Sequence, residues 1–102
     1  MVHVVAVITA QPGQRGQILE AFAANAPAVR AEAGCIEYVA TVDAAGLPPS
    51  PGTVGADTFM VIEKWDSLAA LQAHAVAPHM KAYAAQVKAF TASRTIHVLE
   101  PV

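Results

Sequence analysis

The chain is predicted to be α+β, a ferredoxin-like β-α-β-β-α-β domain built on an antiparallel four-stranded sheet. Three observations predict it. Runs rich in β-branched and aromatic residues recur at residues 3–10, 35–42, 58–65 and within 91–100. Stretches with helical apolar spacing separate the first run from the second and the third from the fourth. A Pro- and Gly-rich segment at residues 43–56 divides the chain into two β-α-β halves, the arrangement of a split βαβ plan.

Each element follows in order. The first strand, HVVAVITA, stops at Gln11-Pro12-Gly13, a turn signal. Residues 14–33 read as a helix whose apolar stripe is Ile18, Leu19, Phe22, Ala26 and Val29, with Gly34 as the stop. Pro27 should kink or break it, because the ring removes one backbone bond and crowds the preceding turn. In CIEYVATV, alternation puts Ile36, Tyr38, Ala40 and Val42 on one face and Glu37, Val39 and Thr41 on the other. The segment DAAGLPPSPGTVGA (43–56) is too rich in Pro and Gly for regular structure, and its length suits a lid or an interface arm.

In the third strand, Phe59 to Ile62 run apolar without a break, so both faces should be covered. Glu63 then sits where an apolar residue would cost less. Asp66 and Ser67 suit an N-cap, with Leu68, Leu71 and Ala75 following at helical spacing. Pro78 opens a further helix after a break at Ala77, which should run to about Phe90. The run RTIHVLE supplies the last strand, and Pro101 ends it.

Composition bounds the rest. A length of 102 residues allows one core, so a single domain over 1–102 is expected. Hydrophobic residues make up 55% and charged ones 14%, against averages of about 45–50% and about 25%. Helices on one side of the sheet leave the other side too apolar for water, and a homodimer joined by its sheet faces is the simplest remedy. A net charge of −2 without a basic stripe argues against nucleic acid as partner. One Cys points to a reducing, cytoplasmic setting, and Cys35 itself reads as packing. No apolar run is long enough to insert in a membrane.

With the elements in place, a set of short motifs becomes recognisable. PG after strand one, EAGC entering strand two, VDAAG before the long loop, IEKWDS, AH-x4-HMKAY followed by VK, and the terminal RTIHVLEP together resemble the antibiotic biosynthesis monooxygenase family. Within it, the likeness is to the bacterial quinol monooxygenase group and extends almost from end to end. The resemblance implies a dimeric α+β barrel with a pocket between sheet and helices in each subunit. It also implies oxidation of a small planar quinol by O2 with no cofactor: no flavin, haem or metal. Haem-degrading relatives use an Asn on the first strand, a Trp on the third and a His on the last helix, and only the Trp has a counterpart, Trp65. Relatives that isomerise phosphorylated molecules find no phosphate cradle here, and Lys81 and Lys88 read as ordinary surface lysines.

The candidate site residues follow from chemistry. His74 and His79 are candidate general bases, since imidazole titrates near neutral pH and a quinol must lose a proton before it gives an electron readily. As bland alternatives, His74 would cap a helix and His79 would be a solvated first-turn residue. Glu63 is the third catalytic candidate, because a carboxylate in an apolar strand needs a partner or takes up a proton. It could orient a His, bind a substrate hydroxyl, or pair with Arg30 or Arg94 across a dimer. Tyr38, Phe59, Trp65 and Tyr83 are candidates for substrate binding as flat surfaces and hydroxyl donors, with plain core packing as the competing account. The His residues lack the number and spacing of a metal site. Beside the monooxygenase reading stand a dimeric module that binds a small aromatic without turnover, and another enzyme of the same family, an isomerase or a polyketide-ring oxygenase.

Overall fold

The computed structural model describes residues 1–102. The elements run β1 (Val2–Ala10), α1 (Arg15–Arg30), β2 (Cys35–Thr41), β3 (Thr58–Trp65), α2 (Leu68–Ala75), α3 (Pro78–Val87), a 3₁₀ turn (Lys88–Phe90) and β4 (Thr91–Leu99). The sheet has the order β2-β3-β1-β4 with every neighbouring pair antiparallel, which is the ferredoxin-like arrangement.

Strand β3 shows why the sheet has two unlike faces. Phe59, Val61, Glu63 and Trp65 point under the helices and are buried, whereas Thr58, Met60, Ile62 and Lys64 point the other way and are half-buried. Register carries this division across the sheet. Val4 lies beside Glu63, Ala6 beside Val61 and Ile8 beside Phe59. Helix α1 lays Ile18, Ala21, Phe22, Ala26 and Val29 onto that inner face, and these residues join Val4, Phe59 and Trp65 in one core.

Three details depart from the sequence expectation. Helix α1 does not break at Pro27 but continues to Arg30, and the Ala31 amide donates back to the Pro27 carbonyl. Only one turn lies beyond the proline, so little helix is left to disturb. Second, Ile36 does not share a face with Tyr38 as alternation predicts. A register shift between Cys35 and Glu37 inserts a bulge, and Ile36 is exposed while Tyr38 is buried. Third, the helical segment expected to run to Phe90 tightens into the 3₁₀ turn after Val87.

The 42–57 segment is tied at its base. Asp43 accepts the amides of Val54 and Gly55, Asp57 accepts that of Gly13, and Arg15 donates to the carbonyls of Gly55 and Thr58. No helix is long and apolar enough to cross a membrane. Edge strand β4 is covered by no helix: apart from Thr91, all its residues are exposed. This gap between the helices and the last strand opens the cavity described next.

Candidate active site

A cavity of about 920 Å³ lies between the inner sheet face and the α2–α3 pair, open toward β4. Most of its lining is apolar, with Ala6, Val61, Ile96 and Val98 on the sheet side and Leu71 and Met80 on the helix side. His74, Glu63, Tyr38 and Tyr83 bring polar atoms to this wall.

The local sequence explains how His74 arrives there. Ser67 caps α2, its hydroxyl accepting the Ala70 amide, and the helix then delivers His74 to its last turn. The break at Ala77 and Pro78 at the start of α3 set His79 in the next helix's first turn. Facing both is the turn after α1. Gly34 there has φ +83°, and a Cβ on it would come within 2.6 Å of the Ala70 Cβ. Its carbonyl accepts the Asp66 amide. Only glycine lets this turn sit so close to the start of α2, and the contact puts Glu32 against both imidazoles.

Glu32 Oε2 lies 2.9 Å from His74 Nδ1 and 2.9 Å from His79 Nε2. A carboxylate only accepts, so Nδ1 of His74 and Nε2 of His79 each donate a proton to it. That tautomer leaves His74 Nε2 with a free lone pair. Nε2 is 4.0 Å from Glu63 Oε1, too far for a direct hydrogen bond. Glu63 Oε1 instead accepts Trp65 Nε1–H at 3.0 Å. Within the chain, the partner of Glu63 is therefore neither Arg30 nor Arg94; Arg30 donates through Nε and Nη2 to the Tyr38 carbonyl.

Burial sets the electrostatics. Glu63 is 7% exposed, and removal from water raises its pKa against the opposing pull of the Trp65 hydrogen bond and of His74. Burial likewise pushes the Tyr83 phenol up to about 12, and drives the Tyr38 phenol higher still with help from Glu63. Both tyrosines therefore stay protonated donors at neutral pH. Every fully enclosed side-chain polar atom has a partner, and neither phenol bonds within the chain, so both hydroxyls open onto the cavity they line.

The candidates thus separate. His74, Glu63, Tyr38 and Tyr83 meet at the cavity. Phe59 and Trp65 are 0% exposed and stand behind its wall in the core; Trp65 backs the His74 ring at 4.7 Å between centroids. His79 points to Glu32 instead of the cavity and keeps a 30% exposed side chain. Two further residues reach the site, Phe22 and Glu32. Phe22 stacks on Tyr38 at 4.9 Å and lines the cavity. Glu32 was visible only as the first letter of EAGC, where the required glycine two positions later marks a close approach.

The model of the family described as antibiotic biosynthesis monooxygenase matches residues 1–86. The chain belongs to this family. A curated family relative, the probable quinol monooxygenase YgiN of Escherichia coli K12, is 41% identical over 104 residues, covering 99% of this chain and 98% of that protein. Among solved structures, PA3566 from Pseudomonas aeruginosa superposes with a TM-score of 0.81 at 27% identity, over 99% of this chain and 93% of that one. Rv0793 from Mycobacterium tuberculosis gives a TM-score of 0.80 at 27% identity, over 99% of this chain and 94% of that one. The antibiotic biosynthesis monooxygenase family thus accounts for the fold and for a monooxygenase as the class of protein.

Proposed function

We infer that this chain is a cofactor-independent monooxygenase or quinol oxidase, working as a homodimer on a small planar hydroquinone with O2. The observation that carries the reading is His74, held by Glu32 through Nδ1 with its unbonded Nε2 4.0 Å from Glu63 Oε1, on an apolar cavity that both residues line. The printed name of the Escherichia coli relative, a probable quinol monooxygenase, points to the same substrate class.

The geometry suits removal of a phenolic proton. A hydroxyl oxygen set between His74 Nε2 and Glu63 Oε1 could lie about 2.8 Å from each. His74 takes the proton, and Glu32 steadies the resulting imidazolium, the role a carboxylate plays in a base–orienter pair. The Tyr38 and Tyr83 hydroxyls donate to the quinol oxygens. The quinolate then reduces O2. As an oxidase, the quinol yields two electrons and two protons and O2 leaves as hydrogen peroxide. As a monooxygenase, one quinol and one O2 give a hydroxyquinone and one water, all the electrons coming from the ring.

The test is anaerobically reduced menadione mixed with metal-free protein in air, following O2 uptake and product. Oxidation well above the autoxidation rate, lost in His74→Ala, is expected. Saturable binding without O2 consumption would instead favour the module that binds an aromatic without turnover.

A further inference from the structure

We propose that the cavity selects planar aromatics carrying a carboxylate at the end remote from the reacting hydroxyl. The proposal rests on the reading of the cavity as a substrate site, and it adds the charge and the orientation of what enters.

The chain has six Lys and Arg residues. Arg15 and Arg30 are occupied by backbone carbonyls, and Lys64 lies on the outer sheet face. The other three, Lys81, Lys88 and Arg94, all line the cavity. None has an acidic partner, because every ion pair in the chain joins a His to a Glu. Lys81, Ala84 and Lys88 recur at helical spacing, so both lysines border the cavity along one side of the α3–3₁₀ segment. Arg94 faces them from β4.

Charge is distributed unevenly along the cavity. Its one acidic lining residue is Glu63. Register puts Glu63 in the row of Val4 and Val98, and Arg94 in the row of Ile8 and Phe59. Those rows are four residues apart on β4, about 14 Å at a strand rise of about 3.4 Å per residue. Lys81 lies one turn from Ala77, at the His74 end of α3, whereas the 3₁₀ turn that carries Lys88 leads through Thr91, beside Ala10, into β4. A ligand lying along the floor therefore has one end at the His74–Glu63 pair and the other toward the Arg94 guanidinium and the Lys88 ammonium. An uncharged quinol leaves these cations without a counter-charge. A two-ring aromatic with a hydroxyl at one end and a carboxylate at the other matches both ends and the apolar middle. Lys88, which reads as an ordinary surface lysine in the sequence, thus forms a cationic end of the cavity with Arg94.

The experiment uses 6-hydroxy-2-naphthoate, which has this layout and, as a single phenol, is stable in air. Its binding is compared by titration calorimetry with that of its methyl ester, 2-naphthol and acetate. The acid is expected to bind about 10-fold tighter than the ester or 2-naphthol at low salt, with acetate not bound and the advantage shrinking in high salt. Lys88→Gln and Arg94→Gln should each weaken the acid about 3-fold and leave 2-naphthol unchanged, as suits exposed charges. Acid no better than ester, or variants that weaken acid and naphthol alike, would overturn the proposal. The two readings can fail separately. Menadiol turnover without acid preference removes the cationic selectivity and keeps the oxidation chemistry. Acid preference without turnover of any quinol does the reverse.

Discussion

Glu32 and His74 are 42 residues apart in the chain and 2.9 Å apart in space. Their contact decides which imidazole nitrogen carries the proton, and so which one is free to act as a base. Glu32→Gln keeps the shape but removes the charge that would steady a protonated His74. Menadiol oxidation should fall in kcat by about 10²-fold, the low end of what a positioned base contributes, with KM little changed. Glu32→Asp should recover part of the rate. Steady-state kinetics over a pH series checks this, and a purely structural role for Glu32 would show instead as a loss of folding with normal kinetics in the folded fraction.

Much of this arrangement was legible in the sequence. The apolar run of β3, the turn at Pro12-Gly13 and the paired halves specify a ferredoxin-like sheet without further information. Glu63 announced itself because a carboxylate in that run violates the local pattern. Glu32 did not, because a glutamate in a turn violates nothing, and its partners come from 42 and 47 residues away. Phe59 and Trp65 were legible as large and inward-facing, but alternation cannot say whether an inward face meets a cavity or another side chain. The bulge at Ile36 was illegible for a related reason: one extra residue changes the face without changing the composition.

Glu63 gives a pH signature. Burial raises its pKa above the ordinary 4.5, so folding favours its protonated form. The contribution is complete below the ordinary value and declines as pH rises through the raised folded value, at up to about 1.4 kcal/mol per pH unit within that window. Glu63→Gln cannot ionise and still offers an oxygen to Trp65. Urea unfolding at a series of pH values should therefore show wild type losing stability relative to Glu63→Gln as pH increases above 4.5. Parallel curves would contradict the buried carboxyl as the cause.

Phe59 tests where the core ends and the cavity begins. It is fully enclosed and stands edge-on to Phe22 at 6.5 Å. Phe59→Leu should cost about 1 kcal/mol of stability, as a near-conservative core replacement does, and leave KM for menadiol within about twofold. A large KM change with unaltered stability would move Phe59 to the cavity wall.

Asp43 anchors the long loop by accepting two amides, and these hold its pKa below the ordinary 3.8. Its contribution is present above that ordinary value and is lost as pH falls through the lowered one. Asp43→Asn keeps one acceptor oxygen in place of two. Hydrogen exchange at the Val54 and Gly55 amides should accelerate in the variant at neutral pH, while exchange in β1 stays unchanged. Equal protection in both proteins would mean that Arg15 and Asp57 suffice to hold the loop.

The outer sheet face bears on assembly. Val5 lies beside Ile62 and Val7 beside Met60, with Val39 on the far side of Ile62. These apolar residues form a continuous patch on the side that carries no helix, and Ile62 sits near its middle. Two such faces packed together would remove the patch from water, and a stable pair needs about 800 Å² from each partner. Ile62→Asp would put an unpaired carboxylate in the centre of that interface, where desolvation outweighs any contact it could make. Sedimentation should find wild type dimeric at micromolar concentration and the variant monomeric, with its far-UV circular dichroism retained because residue 62 points away from the core. A monomeric wild type would remove the homodimer from the proposed function, and an unchanged dimer in Ile62→Asp would place the contact on another surface, with the exposed edge of β4 the next to probe.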